Sequence, residues 1–180
     1  MGQSLDRGGE SCRSAPAIAR AQFAANVWSL LAYGLLAIVV ARPWLKRQER
    51  AVALRALVAP HLFRYVALLL FSARQAGYPI SEVAAAEAVV GDLAGAALAW
   101  LAFATLNRWP RLGTVLCWIL VVETLADFAV GIRRKALEPL WGAAEGATWV
   151  LLNFYVTLVM AVLPLLAWQL WTRRRVTAIS

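Results

Sequence analysis

The sequence predicts an all-α fold, a polytopic transmembrane bundle of about five spanning helices, and three observations carry that reading. The 180 residues are 62% hydrophobic and only 16% charged, where soluble domains hold about 45–50% and about 25%. Mean hydropathy is +0.64. The apolar residues gather into five runs, each near the roughly 17–25 residues that cross a hydrocarbon slab about 30 Å thick. Lipid leaves no partner for an unpaired backbone group, so each run must be a helix.

The elements follow in order. Residues 1–21 mix Gly, Ser, Arg and acids without an apolar stretch, and read as a flexible polar tail and not a signal peptide. A single bundle is expected over 22–172, with helices at about 23–40, 56–73, 83–106, 112–132 and 148–171. Trp44 stands where an interfacial ring would anchor the first helix. The basic stretch 42–55 has helical spacing and could lie along the headgroups. Gly77, Tyr78 and Pro79 form a turn, and Ser81 is placed to cap the third helix. Residues 107–111, with Trp109 and Pro110, force a tight reversal between the third and fourth. The longest link, 133–146, contains Pro139 and Trp141, and 173–180 is a basic tail.

Charge narrows the function classes. The net charge is +8, but the cations sit in short clusters between apolar runs, as cytoplasmic loops of membrane proteins do. Their expected partner is the lipid bilayer and not nucleic acid. Seven cations (Arg7, Arg13, Arg20, Arg74, Arg133, Arg134, Lys135) fall on one side. Ten fall on the other: Arg42, Lys46, Arg47, Arg50, Arg55, Arg108, Arg111, Arg173, Arg174 and Arg175. That bias predicts the N-terminus out and the C-terminus in the cytoplasm of a bacterial inner membrane. Cys12 and Cys117 form neither a disulfide framework nor a metal motif. No cofactor or metal is expected, and no motif assigns a catalytic residue.

The informative residues are polar ones at membrane depth: His61, Arg64, Asp92, Glu123, Asp127 and Asn153. A charge at the bilayer centre costs at least about 2.5–3.5 kcal/mol, so such groups face the bundle interior, pair, or line a hydrated cavity. Ala84, Ala88, Gly91, Gly95 and Ala99 make a small-residue stripe, a candidate face for helix packing or for a homodimer through Gly91 and Gly95. Asp92 lies about 40° from Ala88 around the axis, hence toward the packed side. Glu123 and Asp127 share a face at i, i+4, and so do His61 and Arg64 at i, i+3. Asn153 and Thr157 lie on one line. Depth favours pairing of Arg64 with Asp92, Glu123 or both, and places Asp127 and Asn153 further out. His61 is expected at the headgroup boundary.

Arg64 is one fixed cation against three potential anions. One salt bridge leaves two carboxylates to be protonated, hydrated, or balanced by a bound cation or cationic ligand. A proton- or cation-coupled small-molecule carrier would use that surplus. A structural subunit would use the polar residues for assembly alone, and a membrane enzyme on a lipid-like substrate would use two acids of split pKa.

The segment from Phe63-Arg64 through Gly77-Tyr78-Pro79 to Gly91-Asp92 resembles a family of small uncharacterised bacterial multi-pass membrane proteins, over roughly residues 55–130. The resemblance implies that Arg64 and Asp92 belong to one unit. A looser similarity is to the emopamil-binding sterol isomerase group, which implies a membrane cavity with His and carboxylates from several helices. Here Arg64 stands where that group offers an acid, and Val156 where it would have Trp three after Asn153.

Overall fold

Pro60 begins the most consequential departure from regular geometry. Proline has no N–H to give an α-helical ladder, and its ring collides with the carbonyl four residues back. From Ala59 to Leu68 the chain accordingly winds as a 3₁₀ helix, an unusually long run for that form. Val58, His61, Arg64, Ala67 and Leu70 are 0, 0, 1, 3 and 7% exposed. An α-helix would rotate every third residue steadily off that line, whereas three residues per turn keeps them stacked. The overwinding is what lets one narrow stripe stay buried from Val58 to Leu70.

A computed structural model describes residues 7–138, 140 and 143–172, with side chains from Ile18 onward. Five helices in it are long and apolar enough to cross a membrane. We label them α1 (Ile18–Arg47), α2 (Arg50–Gln75), α3 (Glu82–Thr105), α4 (Pro110–Leu137) and α5 (Gly146–Thr172). No strand occurs among the described residues. Pro139, Trp141 and the tail 173–180 lie outside them, as do residues 1–6.

Two links differ from expectation. Helix continues back from α1 to Arg7, so 7–21 is helical where the sequence suggested a loose tail; one uninterrupted helix keeps the backbone of that stretch paired. The basic stretch 42–55 is no separate surface helix. Arg42–Arg47 prolongs α1 after a π-helical stretch, Ala37–Ala41, and Arg50 opens α2. Arg42 stacks on Trp168 and Arg55 on Phe103, which gives these long side chains an apolar face to lie along.

The core has two parts. At the end formed by the α1–α2 and α3–α4 connections, Leu54, Leu57, Val58, Leu106, Cys117, Leu120, Leu166 and Leu170 close into one apolar cluster. At the opposite end a smaller cluster gathers Ala67, Leu70, Tyr78, Ile80, Ala84 and Leu140. α3 packs most extensively, against both α2 and α4. Gly113 permits the tight α3–α4 corner: a Cβ there would stand 2.8 Å from Leu106 Cα and 2.9 Å from its nitrogen. Backbone cannot swing aside as a side chain can, so Gly113→Ala should cost about 1–3 kcal/mol, read as a lowered melting temperature in detergent.

Ser81 caps α3, its Oγ accepting from Ala84 N at 3.2 Å. Glu138, beyond α4, accepts from Ser81 N at 3.0 Å and Oγ at 2.8 Å. Those donors, with Arg134 behind them, hold the Glu138 carboxyl below its ordinary 4.5. A carboxyl depressed by folding adds stability above its unfolded value, lost as pH falls through the folded one. Backbone amides around residue 81 should therefore exchange faster as pH falls below the carboxyl's ordinary 4.5, and Glu138→Gln should remove that pH dependence.

α1 is the peripheral member. Trp28, Leu31, Leu35 and Ile38 are exposed along it, as Trp100 is on α3 and Trp109 and Trp171 are at helix ends. Trp100 faces outward, where a ring suits lipid.

Candidate functional site

α2 delivers Arg64 to the middle of the bundle, and α3 and α4 bring three acids to it. Arg64 Nε donates to Asp92 Oδ1, Nη1 to Glu123 Oε2, and Nη2 to Asp127 Oδ2, each at 2.7 Å. Nη1 also donates to Thr124 Oγ1 at 2.9 Å, and that hydroxyl leans on Glu123 Oε2 at 3.3 Å. Four of the five guanidinium N–H groups are thus used. The Arg64 side chain is 2% exposed, while Asp92, Glu123 and Asp127 are 26, 18 and 19% exposed. The cation is sealed and the anions line its open side.

Helix periodicity explains the convergence. Glu123 and Asp127, one turn apart on α4, reach the two ends of the same guanidinium. Asp127, placed further out by depth alone, meets it because the Glu123 and Asp127 side chains, one turn apart on one face, lean together onto Nη1 and Nη2 of a single guanidinium. The glycines of α3 make the room. A Cβ at Gly95 would run into Arg64 Nη1 and Cζ and come within 2.8 Å of Glu123 Oε2; one at Gly91 would strike the Asp127 carboxylate. The small stripe is therefore filled within the chain by α2 and α4, and Gly91 and Gly95 are not a free face for a second copy.

The cluster is not electrically closed. One guanidinium faces three carboxylates, so two negative charges lack a counterweight whenever all three ionise. Glu123 Oε1 is buried without a hydrogen-bond partner. Buried charge left in that state is costly, which makes a proton, water or cation the natural complement.

A cavity of about 190 Å³ rises from Arg64, Asp92 and Asp127 between α2, α3, α4 and α5. Ala88, Phe128, Leu152, Val156 and Met160 wall it, and it reaches Tyr78, Arg134, Lys135 and Leu140 at the end holding the α2–α3 and α4–α5 connections. The other end is occupied by the larger apolar cluster. Asp92 and Asp127 are thus approached from one side, while Glu123 does not line the cavity. At the mouth Arg134 is paired with Glu87 and lies 3.9 Å from Glu138.

His61 and Asn153 stand apart from this network. His61, expected at a headgroup boundary, is 0% exposed, and neither ring nitrogen has a hydrogen-bond partner. The 3₁₀ winding turns it inward above Arg64. Asn153 is also fully buried, but its amide donates to Trp149 O at 2.7 Å along its own helix, and Thr157 Oγ1 returns to Asn153 O at 2.8 Å. Asn153 lies in a π-helical stretch, Leu151–Tyr155, a form often found at functional sites. From that stretch Tyr155 donates to Pro60 O at 2.9 Å, tying the π turn of α5 to the start of the 3₁₀ turn of α2.

Sequence reasoning missed Thr124 and Tyr155. Thr124 adjoins Glu123, and its hydroxyl is a signal only once Arg64 is known to arrive beside it. Tyr155 could have been suspected from Pro60, since broken membrane helices recruit side chains to satisfy backbone groups. Among the described residues no group of His, Cys, Asp and Glu could hold a metal ion.

Residues 21–171 match one family, Domain of unknown function (DUF8737). The chain belongs to it. The match spans all five helices and every residue of the ionic cluster, so fold and cluster lie within one family unit. No curated protein and no solved structure matches the chain.

Proposed function

We propose that this protein is a proton- or cation-coupled carrier of small molecules in a bacterial inner membrane, with Arg64, Asp92, Glu123 and Asp127 as its working site. The single observation that carries the reading is the cavity that brings two of three carboxylates, held on one buried cation, within reach of one end of the bundle. A cluster serving assembly alone has no use for a path to its acids or for a surplus of them. The apolar walls favour a small organic cation with a hydrocarbon body, or a proton exchanged against one.

The basic end, with Arg42, Arg47, Arg108 and Arg111, belongs at the cytoplasmic face by the positive-inside rule. The cavity then opens outward in the described state. Alternating access would require the larger apolar cluster to loosen in turn. A structural subunit is the competing reading, and it is favoured by how completely Arg64 itself is satisfied.

Proteoliposomes with a trapped pH indicator separate the two. Alkali cations, tetramethylammonium and small aralkylamines form the panel, offered to wild type, Glu123→Gln and Asp127→Asn. The carrier reading expects at least one cation to drive proton movement in wild type and to lose about tenfold in both variants, the loss that about 1.4 kcal/mol produces. Indistinguishable traces from all three proteins across the panel would establish the structural subunit instead.

A further inference from the structure

Five apolar side chains that wall the cavity also reach the outer surface of the bundle. Phe128 and Ile132 stand one turn apart on α4, and Leu152, Val156 and Met160 take every fourth position along α5. None of the five is buried, and Ile132 and Met160 are 65 and 39% exposed. A side chain that lines a cavity and also meets the surroundings stands at its rim. These two lines are the lips of a slit between α4 and α5. In a bundle that spans a membrane, the outer side of such a slit meets hydrocarbon.

Packing explains why the slit stays open. α4 and α5 are joined toward the sealed end, where Cys117 and Leu120 cluster with Leu166 and Leu170. The first part of α5, Gly146–Tyr155, packs instead on α1 and on the end of α2. α1 covers a different face of α5, where Tyr33 and Leu36 share a groove with Leu158 and Ala161. Leu158 is two residues from both Val156 and Met160, about 160° around an α-helix. Beneath the slit lie Asp92 and Asp127. Each gives one oxygen to Arg64, where an ionised carboxyl can accept through two.

We propose that the carrier's substrate is an amphiphilic primary amine taken sideways from the lipid, its ammonium on Asp92 and Asp127 and its hydrocarbon chain in the α4–α5 slit. This deepens the carrier reading and rests on it. A primary ammonium has three N–H donors, enough to serve both carboxylates. The charges then close, since Arg64, one ammonium and one proton balance three carboxylates. A chain that passes from lipid to apolar lips never enters water, so the cavity volume sets no limit on its length. A water-borne cation makes no use of such lips.

Dodecylamine carrying a diazirine at its tail end is the probe, in phosphatidylcholine vesicles that hold the full chain. On illumination the tail should label residues 128–132 and 152–160. Plain dodecylamine should suppress that labelling and dodecanol should not. Asp127→Asn should lower it about tenfold, as loss of one charged hydrogen bond implies. Proton movement driven by alkylamines should persist as the chain lengthens from butyl to dodecyl. Ile132→Trp, which fills the slit, should weaken the dodecylamine response severalfold. Val122→Trp should not, because that exposed position lies about 140° around α4 from Asp127. Labelling that dodecanol suppresses equally, or that ignores Asp127→Asn, would overturn the amine site and leave the carrier to the small cations. Amine-specific labelling in vesicles that move no proton would overturn transport, and the amine as cargo, while keeping the binding site. If either variant does not fold, the contrast between dodecylamine and dodecanol on wild type decides alone.

Discussion

Arg64→Leu should be the most damaging single substitution in this protein. It removes the only cation from a site where Asp92, Glu123 and Asp127 converge, and breaking a buried ion pair from one side costs about 3–5 kcal/mol because uncompensated charge stays behind. The expected result is a collapse of yield and of thermal stability in detergent. The loss should be recoverable. Combining Arg64→Leu with Asp92→Asn, Glu123→Gln and Asp127→Asn leaves no charge to compensate, and most of the lost stability should return. Failure of the neutral quadruple variant to melt above Arg64→Leu would show that the guanidinium matters for its shape and not its charge.

Gly95→Ala should rank second, although it adds one methyl group. That methyl would enter the space held by the Arg64 guanidinium and approach Glu123. The obstructing atoms belong to a side chain whose four hydrogen bonds fix it in place, so retreat means breaking some of them. A cost of about 1–3 kcal/mol is expected, with a matching loss of cation response. Gly34→Ala is the internal control, since nothing lies within 4 Å of a Cβ there. In a helix that change should be neutral or stabilising by up to about 1 kcal/mol. Equal effects at positions 34 and 95 would contradict the packing described for the site.

The residues that were readable in advance share a physical property. Five spanning helices follow from the thickness of a bilayer, which acts on each run independently of the others. Asp92 pointing inward, and Glu123 with Asp127 on one face, follow from α-helical periodicity within a single element. The misreadings all concern what periodicity and depth leave free. Asp127 was placed beyond Arg64 by depth, because a depth estimate treats side chains as points and a guanidinium is a fork. His61 is enclosed because Pro60 opens a 3₁₀ stretch that keeps it on the same buried line as Arg64. Gly91 and Gly95 were offered to a second copy, because a small-residue stripe has the same signature whichever helix covers it, and here α2 and α4 of the same chain do so. The cavity had no local signal, since its walls come from four helices.

Water and charge at the base of the cavity are the heart of the account, and one labelling experiment reaches both. Ala88 lines the cavity one turn from Asp92. Ala88→Cys with Cys12→Ser leaves only buried Cys117 as background thiol. Sealed vesicles of known orientation are then exposed to small thiosulfonates, one cationic and one anionic, from either side. Labelling from the outer face alone is expected, with the cationic reagent faster by about tenfold, the ratio that about 1.4 kcal/mol of attraction yields, and with the preference growing as pH rises and carboxyls ionise. A thiol that reacts from neither side, or that takes both reagents at one rate at every pH, would contradict it.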